Sequence, residues 1–174
     1  LVSSSAASDV YKRQIEYPET GLYHPKLKKR VSTSIKDLPS KKDSVGKVGI
    51  LLMRSYVLSG DTAHYDAVIS ELESMNLQVI PAFSASLDSR PAINEFFYVS
   101  DQLNVDCILS LTGFSLVGGP AYNDSKAAEN ILSKLDVPYI AAHALEFQTL
   151  PNWQENDIGL GPVETTMLVA LPEI

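Results

Sequence analysis

Residues 110–124 read SLTGFSLVGGPAYND, the end of an apolar strand running into a loop with three glycines and one proline. A loop of that composition brings backbone close to something. The residues in front, VDCIL at 105–109, are too continuously apolar for a strand with one solvated face, and beyond Asn123 apolar residues return at helical spacing. This is the pattern of a β-loop-α unit in a parallel sheet, where ligands bind at the loop leaving the carboxyl end of the strand.

Outward from that unit, apolar period and turn residues give a regular alternation: strand 47–53, helix 61–75, strand 77–83, helix 90–103, strand 105–111, helix 123–136 and strand 137–142. Asp61 is expected to cap the first helix, whose apolar positions Ala67, Val68, Leu72 and Met75 precede Asn76 as a stop. Asn123 or Asp124 caps the third, with Ala127, Ala128, Ile131, Leu132 and Leu135 as its buried stripe. A last helix is expected over 162–171, opened by Pro162 and closed before Pro172.

Such alternation predicts an α/β fold, doubly wound on a mainly parallel sheet, with the flavodoxin-like strand order 2-1-3-4. The chain then reverses direction between the first and third strands. The loops that follow them, 54–60 and 112–122, open a crevice at one edge of the sheet. The loop after the fourth strand, with His143, Glu146 and Gln148, sits beside them.

Three segments are expected: a Ser- and Ala-rich leader at 1–14 that is non-native or disordered, an extended arm and linker at 15–46, and the α/β domain at 47–174. The chain ends at Ile174 without a closing turn, which reads as a slice of something longer. With 174 residues, 45% hydrophobic and 20% charged, there is room for one globular domain. Apolar runs fall well short of the roughly 18 residues of a membrane span, the N-terminus lacks a secretory layout, and the lone Cys107 reads as a core hydrophobe, so a cytosolic protein is expected. Residues 1–47 hold ten basic and five acidic residues, a charge of +5, against −12 for the remainder. An acidic folded part argues against nucleic acid as the main partner. The cluster Lys26, Lys28, Lys29 and Arg30 either grips an anion or an acidic partner surface or is a solvated linker.

Gly113, Gly118 and Gly119 suit an anionic guest near a helix N-terminus, or serve a tight turn with Pro120 fixing its exit. Their spacing matches neither the dinucleotide fingerprint nor the Walker loop. Asp61 and His64 lie three apart at the start of a helix, as a carboxylate orienting an imidazole or as a cap beside a packed ring. Arg54, at the end of the first strand, either clamps a carboxylate or ties the two crevice loops together. Serines 55, 59, 110 and 115 lack triad partners, which leaves hydrolase chemistry unsupported. Phe96, Phe97 and Tyr98 are consecutive, so some are expected to face outward, and Phe147 with Trp153 to form an apolar edge that a neighbouring domain covers.

Four stretches together, TGLYHP at 20–25, VGILLMRSYVLSGDTAHY at 48–65, the 110–124 loop and LDVPYIAAH at 135–143, resemble the large H subunits of the magnesium chelatase family, and the 54–65 wording resembles the bacteriochlorophyll type more than plant chelatases. The likeness covers residues 17–174. Cobaltochelatase large subunits share the layout but are not expected to carry LVGGP at 116–120 so closely. The resemblance implies a very large cytosolic subunit that binds protoporphyrin IX and, with AAA+ ATPase partner subunits, inserts Mg2+ as ATP is hydrolysed. It assigns no metal-inserting residue to this stretch, which alone is expected to be inactive. Arg54, Asp61, His64, Thr112, Phe114, Gly118 and Gly119 are the ligand-binding candidates, Gly21, Tyr23, His24 and Pro25 match family wording without an assigned role, and a purely structural or partner-docking domain is the competing reading. A stand-alone flavodoxin-like binder fits the topology and not the open chain end.

Overall fold

Two unbroken apolar runs, 48–53 and 79–83, set the centre of the molecule, because a strand without polar alternation needs cover on both faces. The computed structural model describes residues 17–119, 122–144 and 147–170. In chain order the elements are β1 (Thr20–Tyr23), β2 (Val31–Ser32), β3 (Gly46–Met53), α1 (Arg54–Ser59), α2 (Ala63–Ser74), β4 (Leu77–Ser84), α3 (Arg90–Phe96), β5 (Tyr98–Val99), β6 (Gln102–Leu103), β7 (Cys107–Ser110), β8 (Gly118–Gly119), β9 (Tyr122–Asn123), α4 (Ser125–Leu135), β10 (Tyr139–Ala141), α5 (Leu150–Gln154) and α6 (Pro162–Ala170).

Among the described residues, six strands form one sheet in the order β10-β7-β3-β4-β1-β2. The first four run parallel, and β1 and β2 run antiparallel to their neighbours. Helices cover both faces. On one side α1 and α2 lay Val57, Tyr65 and Ile69 against Ile50, Leu52 and Val79. On the other, α3 and α4 pack Ile93, Phe96, Ala128 and Ile131 against Leu51, Ile80 and Ile108. The second layer sits close because residue 49 has no side chain: a Cβ there would come within 2.7 Å of the Phe97 ring.

Local chemistry explains the best-formed helix. The Asp124 carboxylate accepts a hydrogen bond from the Ala127 N–H at 3.0 Å, which satisfies an orphan donor of the first turn of α4. Ala128, Ile131 and Leu135 then fall on one buried face, and Asp136, at φ 49°, ends the helix in the left-handed region.

Several expectations need correction. The segment expected to be an arm and linker is, in its described part, docked on the sheet: β1 pairs with the outer edge of β4, Thr20 opposite Ser84 and Leu22 opposite Ala82, so the domain begins by Thr20. Leu22, Tyr23 and His24 are buried, and burying a side chain such as Leu22 contributes about 2 kcal/mol, which favours docking over a free arm. The helix expected over 90–103 stops at Phe96, and residues 98–103 form a β5–β6 hairpin around Ser100 and Asp101, both with positive φ. Of the three consecutive aromatics, Phe96 and Phe97 are buried and Tyr98 is partly exposed. Residues 54–59, read as a loop, form α1, ended by Gly60 at φ 78°. Asp61 does not cap α2; Thr62 occupies that position, and its hydroxyl instead accepts from Arg30. The leader at 1–14 and the closing residues from Leu171 onward lie outside the described residues.

Candidate functional site

Parallel strands deliver their outgoing loops to one edge of the sheet. Met53, Ser84, Ser110 and Ala141 therefore end β3, β4, β7 and β10 on a common rim, and antiparallel β1 brings Thr20 to it from the opposite direction. The arginine-bearing and glycine-rich segments both leave from this rim, as β3 and β7 are neighbours.

They are committed to different partners. Arg54, first residue of α1, donates from Nε to the Pro18 carbonyl and from Nη2 to the Tyr17 carbonyl, each at 3.0 Å. Its guanidinium thus ties down the chain entering β1, an arrangement that neither reading of Arg54 included. Across the rim, Thr112 Oγ1 lies 3.1 Å from Ser110 Oγ and accepts from the Phe114 N–H at 3.2 Å, folding the start of the glycine loop on itself. The ring of His143 stands against Gly113, with Nδ1 3.4 Å from where a Cβ would be. Further along, the Ser89 N–H donates to the Leu116 carbonyl at 3.0 Å, and β8 pairs with β9 as a hairpin. Gly118 has φ 108°, and a Cβ on Gly119 would overlap Leu87. The glycines are required by a turn and by packing on the β4–α3 loop.

His64 lies in the first turn of α2 with its ring centroid 4.0 Å from that of Tyr65 and 5.2 Å from that of Tyr56. Tyr65 is wholly buried and accepts from the Met53 N–H at 3.1 Å; burial pushes its hydroxyl up to about 12. Asp61 stands exposed. Burial also raises the thiol of half-buried Cys107. Among the described residues no three His, Cys, Asp or Glu side chains converge on a metal-sized site.

The rim carries a cleft of about 320 Å3 where β1 meets β4; Glu19, Thr20, Ser84, Ala85, Ser86 and Pro91 line it. None of the seven sequence candidates does. Beside it Arg90 grips Asp88 through Nε and Nη2, and although burial alone would raise the Asp88 carboxyl, that guanidinium holds it below the ordinary carboxylate range.

Sequence reasoning missed a polar cluster between the arm and α2, buried at Tyr23, His24 and Thr62 and open to solvent at Lys26 and Arg30. His24 is fully buried; its Nδ1 accepts from the Lys26 N–H at 3.1 Å, which leaves Nε2 as the donor to Glu73 Oε1 at 3.2 Å. Lys26 Nζ reaches Glu73 Oε2 at 2.6 Å. The Tyr23 hydroxyl donates to Asp66 at 2.5 Å, and Arg30 bonds the Thr62 hydroxyl at 3.1 Å with Asp66 at 3.7 Å. Two members of the basic cluster, Lys26 and Arg30, thus meet an acidic surface within the fold itself, the Glu73 and Asp66 carboxylates of α2. Asp66 and Glu73, seven apart and so on one helical face, carried the signal. Burial lowers the His24 imidazole below its ordinary range and raises the Tyr23 hydroxyl.

The family profile described as CobN/Magnesium Chelatase matches residues 2–174. The chain belongs to the CobN/Magnesium Chelatase family. Within that family it is 60% identical to the magnesium-chelatase H subunit of Cereibacter sphaeroides over 100% of this chain and 15% of the relative, and 58% identical to the H subunit of Rhodobacter capsulatus over 92% and 13%. The chain therefore spans only a small part of the length of these relatives. Among solved structures, the catalytic subunit of cobaltochelatase from Mycobacterium tuberculosis shares the fold, with a TM-score of 0.58 over 91% of this chain and 12% of that one, at 20% identity. The family's mostly parallel α/β architecture is the one described above. No helix among the described residues is long and apolar enough to cross a membrane.

Proposed function

We propose that this chain is a segment of the large porphyrin-binding subunit of a magnesium chelatase of the bacteriochlorophyll type, acting in the cytoplasm. The complete polypeptide binds protoporphyrin IX and, with AAA+ ATPase partner subunits that hydrolyse ATP, exchanges two pyrrole protons for the substrate Mg2+. Bases must take those protons, and the proposal assigns them to other parts of the subunit. The observation that carries this reading is 60% identity with the Cereibacter sphaeroides H subunit along the entire chain.

Within the segment, the rim is proposed as one wall of the porphyrin cavity, with Arg54, Asp61, His64, Thr112, Phe114, Gly118 and Gly119 as its candidates. The adjacency of β3 and β7 supports it, since their outgoing residues share an edge. A second reading, an architectural domain without a ligand of its own, is favoured by the commitments of the same residues: Arg54 to the Tyr17 and Pro18 carbonyls, and Gly119 to Leu87.

The test is a chimera in which these 174 residues replace their counterpart in the Cereibacter sphaeroides protein, titrated with a soluble porphyrin and assayed for magnesium insertion with its ATPase partners. A chimera that binds no porphyrin overturns the chelatase reading. Arg54→Ala is expected to weaken porphyrin binding about tenfold if the rim is a wall, the equivalent of one charge-assisted hydrogen bond. Unchanged affinity leaves the architectural reading.

A further inference from the structure

Five large apolar side chains, Phe147, Leu150, Trp153, Ile158 and Val163, stand between 42% and 89% exposed within residues 147–163. The other exposed large apolar residues are scattered singly along the chain between Val45 and Ile140. Scattered residues are ordinary on a soluble surface, whereas five within seventeen residues concentrate exposed apolar area, the feature that accompanies interfaces.

The polar groups of this stretch bond within it. The buried Glu164 carboxylate accepts from the N–H groups of Phe147 at 2.7 Å and Gln148 at 3.2 Å. The Gln148 amide donates to the Gly159 carbonyl at 3.1 Å and accepts from the Gly161 N–H at 2.8 Å. Thr149 caps α5, and on that helix Leu150 and Trp153, three apart, share a side. The result is a preformed unit that presents aromatic and aliphatic groups outward, the composition of an interface centre.

Charge selects the occupant. Residues 147–163 contain two acidic residues, Glu155 and Asp157, and no Lys or Arg, and both stand exposed between Trp153 and Ile158. A second copy would press an identical acidic rim against this one, which like-charge repulsion disfavours. The 60% identical relative is far longer, since the whole chain spans 15% of it, and so offers many segments that could seat here.

We infer that this face docks another part of the same large subunit, an apolar segment flanked by Lys or Arg side chains. The inference rests on the chelatase reading above. It is tested by hydroxyl-radical footprinting of the chimera and of the 174-residue chain by itself. Phe147 and Trp153 are expected to be modified at least about fivefold more slowly in the chimera, as side chains at the centre of an interface exclude water. Equal rates in the two overturn the inference. Protection that arises only on addition of the ATPase subunits, or in the isolated chain as its concentration rises, gives the face to a partner or a second copy and also overturns it. Combined Glu155→Lys and Asp157→Lys substitution in the chimera is expected to restore much of the lost modification; undiminished protection overturns the basic rim. Porphyrin binding is read on the same chimera, so protection without porphyrin binding removes the chelatase reading and leaves the docking face in place.

Discussion

His24 Nε2 stands 3.2 Å from Glu73 Oε1 with the imidazole wholly buried, joining the arm to α2. Burial lowers the folded-state pKa of His24; the Glu73 and Asp66 carboxylates oppose that shift, and the Lys26 ammonium adds to it. The unfolded chain therefore takes up the proton first as pH falls. Stability from this contact is complete above about pH 6.5 and is lost as pH drops toward the lower folded value. Burial alone would raise Glu73, but Lys26 and His24 together hold it lower, so its contribution persists above about pH 4.5 and fades below. Thermal melts between pH 4 and pH 8 should show the first decline, and His24→Gln should remove it while leaving the second.

Arg54→Ala deletes two hydrogen bonds to the Tyr17 and Pro18 carbonyls. The expected cost is about 1–3 kcal/mol, with faster amide exchange in β1. Arg54→Lys should rescue little, because a single ammonium does not reproduce the guanidinium fork. Full rescue by lysine would show that charge alone matters there.

Asp124→Ala removes the side-chain cap of α4 and should cost about 1 kcal/mol, with Asp124→Ser retaining most of it. Urea denaturation with a helix-sensitive signal checks both.

Gly119→Ala places a methyl group on Leu87 and should destabilise by about 1–3 kcal/mol. Combining it with Leu87→Ala should recover part of the loss, and a double-mutant cycle with zero coupling would dismiss the contact.

The central strands and α4 were legible because each carries its own signal: an unbroken apolar run in β3 and β4, and a cap followed by one apolar stripe in α4. The arm was not. β1 has only Leu22 and Tyr23 as strong strand residues, and its pairing depends on the free edge of β4, some sixty residues away in sequence. The β5–β6 hairpin hid for a related reason: Ser100 and Asp101 both adopt positive φ, which Gly or Asn would have announced. At the candidate site, topology placed Arg54 and the glycine loop on one edge correctly. Their partners were invisible, since Tyr17 and Pro18 arrive there only after the arm has docked, and Leu87 only after β4 has turned toward α3.

The bare backbone at residue 49 makes two distant positions a single heritable unit. Phe97 fills the space that any side chain on Gly49 would need, so a side chain is accommodated at 49 only where residue 97 is smaller. Substitutions at 49 and 97 should accordingly travel together through descent.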